Sequence, residues 1–141
     1  MIIVTGGAGF IGSNFILSWL ERFDEEIMNI DNLSYAADLN NLKDIEHNSN
    51  YSFKKLNIQN QEEITTLIFE TKPRAILNFA AESHVDRSIE NPRNFINSNI
   101  IGTYSLLEAS LQYWNSLSKG EKKNFRFFHI STDEVFGSLD M

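Results

Sequence analysis

Short apolar runs alternate along the chain with longer stretches in which apolar side chains recur every three or four residues. A short apolar run is typical of a strand that is covered on both faces, whereas the longer spacing indicates one face of a helix. Repeated strand–helix units with short connections predict a parallel sheet with right-handed crossovers. The pattern therefore predicts an α/β fold of about five parallel strands with helices on both faces.

The apolar runs predict the strands 2–5, 27–30, 51–58, 75–80 and 125–131. Helical spacing predicts helices near 15–23, 39–45, 62–70 and 94–117. Pro92 suits the first turn of the longest helix, and Gly120 follows its end. No repeat, linker or low-complexity segment interrupts the pattern, so one domain is expected.

Composition narrows the possible functions. The 141 residues are 42% hydrophobic and 22% charged, with a net charge of −7, which argues against a nucleic-acid-binding surface. Without cysteine there is no disulfide or thiolate metal site, and the three histidines show no metal-ligand spacing, so no metal is expected. No apolar run is long enough to span a membrane, and no basic leader opens the chain. These features favour a cytoplasmic protein.

A glycine-rich turn at 5–12 follows the first strand and begins the first helix. The spacing Gly-x-x-Gly-x-x-Gly allows a sharp turn, close approach of the backbone to a pyrophosphate, and tight packing of the helix on the sheet. The N–H groups of the turn and the helix dipole attract phosphates. A Rossmann-type NAD-binding fold is predicted, with these cofactor-binding residues in the turn: Gly6, Gly9, Phe10, Ile11 and Gly12.

Asp31 closes the second predicted strand. A carboxylate at this position can accept hydrogen bonds from the ribose hydroxyls of the adenosine and would repel a 2′-phosphate. No arginine lies beside Asp31, so NAD is favoured over NADP. The simpler alternative is a carboxylate that caps the turn at the strand end.

Two further polar segments follow strands. Residues 80–88 read AAESHVDRS after the fourth strand, and residues 131–137 read STDEVFG after the fifth. With the glycine-rich turn and the segment 31–36, these motifs resemble the dTDP-glucose 4,6-dehydratase family of extended short-chain dehydrogenases/reductases. The resemblance extends from Ile3 to about Leu139, and its last two motifs distinguish that family from most nucleotide-sugar epimerases.

The resemblance implies a three-step reaction on dTDP-glucose. Hydride passes from C4 of the sugar to NAD, water is eliminated across C5 and C6, and hydride returns to C6. It also implies that Thr132 binds the C4 hydroxyl, that Asp133 protonates the departing C6 hydroxyl, and that Glu134 removes the C5 proton. Two nearby carboxyl groups in a partly dry cleft can separate their pKa values as such a pair requires.

Other contacts are implied by the same resemblance. The cofactor would also contact Asn32, Ser34, Asn57, Ile58, Ala80, Ala81, Ser83 and Asn99. The substrate would contact Ser83, His84 and Arg87 in addition to Thr132. Considered without the family, the loop residues would simply form local hydrogen bonds, and Asn99 would be a surface or packing residue. Asn57 stands where the family usually has aspartate, and Phe136 where it has tyrosine.

The family also uses a Tyr-x-x-x-Lys pair on the following helix for the hydride step. The single match in this sequence is Tyr51 with Lys55, and on a strand these residues would lie roughly 13 Å apart. We reject that match. Residues 1–141 are therefore expected to be an incomplete NAD-binding domain, without the substrate domain and inactive alone. The alternatives are a non-catalytic NAD-binding module and another nucleotide-sugar epimerase or dehydratase.

The long helix carries an apolar stripe that no other predicted element of the chain is expected to cover. In the family, this helix pairs with the one that carries the tyrosine and lysine, and the pairing forms a dimer. A homo-oligomer through residues 94–117 is therefore expected, because an exposed apolar surface favours self-association. The stripe comprises Ile96, Ile100, Tyr104, Leu107, Leu111 and Trp114.

Overall fold

A computed structural model of the chain describes residues 1–137. Its strands are β1 (Ile2–Thr5), β2 (Ile27–Asp31), β3 (Tyr51–Lys55), β4 (Ala75–Asn78) and β5 (Arg126–His129). They form one five-stranded sheet in the order β3-β2-β1-β4-β5, and every pair is parallel. The predicted α/β fold with a five-stranded parallel sheet is confirmed.

The helices are α1 (Phe10–Arg22), α2 (Gln61–Thr71), α3 (Val85–Glu90), α4 (Pro92–Phe95), α5 (Thr103–Ser116) and α6 (Lys119–Asn124). Shorter 3-10 turns cover Leu39–Ile45 and Asp133–Phe136, and a π-helical segment covers Ile96–Gly102. Because the backbone stays right-handed helical at both junctions, α4, the π segment and α5 form one continuous long helix. Among the described residues, no helix combines the length and the apolar character needed to cross a bilayer.

Helices cover the sheet on both faces, as the pattern predicted. On one face α2 and α5 enclose a core that includes Ile3, Ile76 and Leu106. On the other face α1 and the 3-10 turn at 39–45 enclose a smaller core around Val4 and Ile16. Neighbouring residues of β1 thus point to opposite cores, which is why this strand is apolar at every position before Thr5.

Three predicted strands end earlier than expected. β3 ends at Lys55 rather than at residue 58, β4 at Asn78 rather than at residue 80, and β5 at His129 rather than at residue 131. The extra residues Leu56 and Ile58 are buried, but they leave the sheet to form the floor of a cleft. Apolar composition indicates burial and does not distinguish a buried loop from a strand.

Several helical features also differ from the prediction, including α6, which was not predicted and which contains Gly120. Residues 85–90, predicted as part of a polar loop, form α3, and the long helix begins at Pro92 rather than at residue 94. The π segment in its middle was not predicted, because one extra residue in a helical turn leaves no clear signal in an apolar spacing of three and four.

Candidate active site

A cleft opens at the carboxyl ends of β2, β1 and β4, on the edge of the sheet where α/β proteins bind ligands. It has a volume of about 550 Å³, part of it open to solvent. The predicted cofactor residues that line it are Gly6, Gly9, Asp31, Asn32, Ser34, Ile58, Ala80 and Ala81. The structure therefore brings together residues from four separate segments of the chain.

Gly6 fixes the shape of this cleft. Its φ of +71° lies in the left-handed region, which glycine adopts without strain. A Cβ at Gly6 would lie 2.5 Å from the backbone nitrogen of Ala80, so the turn after β1 passes directly against the segment that follows β4. The positive φ and the close approach of Ala80 therefore both favour glycine over any residue with a Cβ.

The first turn of α1 supplies unpaired donors. Gly9 is the N-cap and makes no side-chain capping bond, and the first bond within the helix runs from the N–H of Ser13 to the carbonyl of Gly9. The N–H groups of Phe10, Ile11 and Gly12 precede this bond and have no acceptor within the helix. These three predicted residues do not line the cleft with side chains, but their backbone can face an anion there.

Asp31 holds the two loops of the cleft together. One carboxylate oxygen accepts the N–H of Ala8, at 3.0 Å, and the other accepts the N–H of Leu33, at 2.8 Å. The side chain is only 7% exposed and still lines the cleft. The carboxylate therefore caps the strand end and also presents acceptor lone pairs to a ligand, so the two readings of Asp31 are compatible.

Asn57 lies outside the cleft lining, although the adjacent Ile58 belongs to it. The side-chain oxygen of Asn57 accepts the N–H of Gln59, at 3.0 Å, and so closes the turn that precedes α2. The second lone pair of that oxygen stays available to a donor.

Asn99 acts on the cleft through another residue. Its side chain accepts the N–H of Glu82, at 2.8 Å, and donates to the carbonyl of Glu82, at 2.9 Å. Asn99 therefore clamps the segment after β4, while the preceding Ser98 lines the cleft. Sequence reasoning missed Ser98, because which of the two neighbours faces the ligand depends on the π segment.

The proposed substrate residues of the segment after β4 follow Glu82, which lines the cleft, but none of them lines it, including Ser83, which was also predicted to bind the cofactor. Ser83, His84 and Arg87 are all exposed and follow β4. The Arg87 guanidinium lies 3.7 Å from the centre of the Tyr35 ring, and the His84 ring meets Tyr35 edge-on at 6.3 Å. Tyr35, which comes from the loop after β2, was not predicted as a site residue. It links the two loops that border the cleft.

The acidic motif lies beyond the cleft lining, after the outer strand β5. Thr132 and Asp133 are exposed, and Thr132 Oγ1 donates to Asp133 Oδ1 at 3.5 Å. Asp133 and Glu134 belong to the 3-10 turn at 133–136. Because β5 is parallel to β4, this turn lies at the same edge of the sheet as the cleft.

Tyr51 and Lys55 do not form a catalytic pair. Both lie on the edge strand β3, and Tyr51 is at its start, away from the cleft edge. Burial raises the pKa of the Tyr51 phenol and the charge of Asp31 raises it further, although the hydrogen bond from Asn29 opposes both. A tyrosine that acts as a base needs the opposite shift.

Among the side chains that the structure describes, no three acidic or histidine residues gather as a group that could hold a metal ion. The cleft offers glycine backbone, helix N–H groups, one buried carboxylate and apolar walls. Apolar residues that sequence reasoning did not assign complete those walls: Ile30, Ala36, Ala37, Leu56 and Phe79. Together these features suit a dinucleotide.

Comparison with known proteins agrees with this geometry. A family model described as GDP-mannose 4,6 dehydratase matches residues 3–141. The parallel sheet and its cleft define a Rossmann-type nucleotide-binding fold, and the chain belongs to the GDP-mannose 4,6 dehydratase family.

Within that family, the chain is similar to dTDP-glucose 4,6-dehydratases. It is 48% identical to the one from Salmonella typhimurium over 98% of its length, and 50% identical to the one from Xanthomonas campestris over 97%. It covers 38% and 39% of those proteins, so it spans about two fifths of their length.

The chain is also similar to solved structures of two such dehydratases and of an epimerase. The Bacillus anthracis dTDP-glucose 4,6-dehydratase, in complex with NAD, is 42% identical with a TM-score of 0.81, and the match covers 99% of this chain and 39% of that one. The Streptomyces venezuelae enzyme, also with NAD bound, is 34% identical with a TM-score of 0.84, covering 99% and 42%. A Thermotoga maritima UDP-glucose 4-epimerase is 34% identical with a TM-score of 0.70, covering 79% and 34%.

Replacement of glycine tests the contact between the turn and β4. We expect Gly6→Ala to lower the free energy of unfolding by more than about 1 kcal/mol, because it forces a Cβ into the left-handed region and against Ala80. Gly120→Ala is the matched control: Gly120 lies in α6 with open space around it, so alanine should raise stability by up to about 1 kcal/mol. Urea denaturation measures both. Equal effects would contradict the proposed contact.

Proposed function

We propose that this chain is the NAD-binding part of a dTDP-glucose 4,6-dehydratase, which dehydrates dTDP-glucose to dTDP-4-keto-6-deoxyglucose in the synthesis of nucleotide-sugar precursors. The observation that carries the proposal is the cleft between Gly6, Asp31 and Ala80, with the acidic turn at 133–136 on the same edge of the sheet. The curated relatives described above support the substrate, since they are dTDP-glucose 4,6-dehydratases.

The residues of the cleft fit a dinucleotide. The left-handed Gly6 leaves no side chain between the turn and a ligand, and the N–H groups of Phe10, Ile11 and Gly12 can donate to the pyrophosphate. The buried carboxylate of Asp31 can accept from the ribose hydroxyls and opposes a 2′-phosphate at the same place. Bound in this cleft, NAD would supply a reversible hydride acceptor for the sugar.

The chain's own contribution to the chemistry lies after β5. In the proposal, the Thr132 hydroxyl hydrogen-bonds the C4 hydroxyl and positions the sugar. Glu134 takes the proton from C5, and Asp133 gives a proton to the hydroxyl that departs from C6 as water.

The exposed apolar stripe on the long helix supports the proposal of a homo-oligomer. The predicted stripe is exposed, with Ile100 at 60%, Tyr104 at 57% and Leu111 at 51%. Burial of these side chains in a second copy of the chain would remove apolar surface from water. A homo-oligomer through this helix and a cytoplasmic location complete the proposal.

Cofactor preference tests the role of Asp31. Purified protein should bind NAD at least about tenfold more tightly than NADP. The negative charge of the 2′-phosphate would lie against the buried Asp31 carboxylate, and the two like charges would repel each other. Isothermal titration with each dinucleotide measures the ratio. Equal affinity for the two, or tighter binding of NADP, would contradict this assignment.

A catalytic assay tests whether this chain can act without a Tyr-x-x-x-Lys pair on a helix. A polypeptide of these 141 residues should bind NAD but produce no keto sugar from dTDP-glucose, because its one Tyr-x-x-x-Lys match lies on β3. Mass spectrometry of the sugar nucleotide detects the loss of water. Turnover that disappears in Asp133→Asn would show that the chain carries a complete site and would refute the expectation.

Substitution on the long helix tests the oligomer. Leu111→Lys should shift the protein toward the monomer, because it places a charge in the apolar stripe. Gln112→Lys adds the same charge at the adjacent exposed position and should leave assembly unchanged. Analytical ultracentrifugation over a range of concentrations distinguishes them. A monomeric starting protein, or equal effects of the two variants, would refute an interface at this stripe.

A further inference from the structure

A buried side-chain amide joins three strands beneath the cleft. Asn78 ends β4 and is 1% exposed. Its oxygen accepts a hydrogen bond from Thr5 Oγ1, at 2.6 Å, and another from the N–H of Ala80, at 3.2 Å. Its Nδ2 lies 3.1 Å from Nδ1 of His129, on β5. The amide thus connects the last residue of β1, the segment after β4, and β5.

The partners of Asn78 leave only one orientation of its amide. The backbone N–H of Ala80 can only donate, so the atom that it meets must be the side-chain oxygen. The NH₂ group therefore faces His129. Because an NH₂ group can only donate, a hydrogen bond between these two atoms requires Nδ1 of His129 to accept, which places the ring proton on Nε2.

The atoms that Asn78 holds are those that shape the site. The nitrogen of Ala80 is the atom that a Cβ on Gly6 would strike, so it lies directly against the glycine-rich turn. His129 ends β5, and the chain passes from there through Ile130 to Thr132. The N–H of Ile130 also donates to the carbonyl of Asn78, at 3.1 Å. One residue thus contacts both the dinucleotide cleft and the base of the acidic turn.

We infer that Asn78 is a positioning residue: its amide locks Thr5, Ala80 and His129 into one arrangement, and so sets the cleft against the turn that carries Thr132. The inference rests on the proposed function for its consequence in NAD binding. The lock itself is a property of the chain without ligand. It holds His129 as the tautomer protonated on Nε2.

The first test reads the tautomer. Nitrogen-15 NMR of the full chain should show one histidine fixed with its proton on Nε2, and His129→Gln should remove that signal from the three histidines of the sequence. In Asn78→Asp the second carboxylate oxygen faces Nδ1, so His129 should become protonated on Nδ1. A mixture of tautomers at His129 in the starting protein, or no change in Asn78→Asp, would overturn the inference.

The second test separates positioning from general stability. Asn78→Leu leaves the Thr5 hydroxyl and the Ala80 N–H without their acceptor, and should weaken NAD binding by roughly tenfold or more. Asn78→Asp retains the acceptor for both and should bind NAD better than Asn78→Leu does. Asn94→Leu and Asn94→Asp, at an exposed asparagine, are the matched controls and should bind as the starting protein does.

The outcomes are distinguishable. If the starting protein shows the fixed tautomer but does not bind NAD, the proposed function fails and the lock stands. If it binds NAD and Asn78→Leu binds equally well, the positioning role fails.

If Asn78→Leu does not fold, Thr5→Val takes its place. This variant removes one hydrogen bond to the Asn78 oxygen, and it should weaken NAD binding while His129 keeps its tautomer. Loss of the tautomer would refute the assigned orientation of Asn78.

Discussion

The contact between Gly6 and Ala80 is the constraint on which the cleft depends. β1 lies between β2 and β4 in the sheet, so the chain that leaves β1 must pass over the end of one neighbour or the other. The left-handed turn at Gly6 takes it against Ala80, close enough to exclude a Cβ. The loops after β2 and β4 therefore diverge on either side of β1, and a crevice forms where the strand order reverses.

Polar side chains around this crevice mostly hold backbone. Asp31 fixes the loop after β2 to the glycine-rich turn, and Asn99 clamps Glu82 from the long helix. Asn78 holds the backbone of Ala80 and of Ile130 at the end of β4. A dinucleotide needs donors and acceptors at fixed positions, and such bonds settle these positions before the ligand arrives. The shape of the cleft is thus built from the fold's own hydrogen bonds, while the ligand meets the lone pairs and N–H groups left over.

The site is divided between two parts of the sheet. The dinucleotide cleft belongs to β2, β1 and β4, whereas Thr132 and Asp133 follow β5, one strand further out. The long helix packs along the same region, and Gly102 brings it within contact distance of Ile58 on the cleft floor. In the proposed function these two parts would serve one chemistry: the cleft would bind the cofactor, and the turn after β5 would position the sugar and move protons.

By itself, the sequence determined the order of strands and helices, the glycine-rich turn at their start, and the exposed stripe on the long helix. These features follow from local spacing, because burial on one face or both faces repeats with the period of the element. Only the tertiary structure decided that Ile58 leaves its strand, that Ser98 rather than Asn99 lines the cleft, and that Asn78 faces His129. Those choices depend on contacts between segments far apart in the chain, and no local pattern records them.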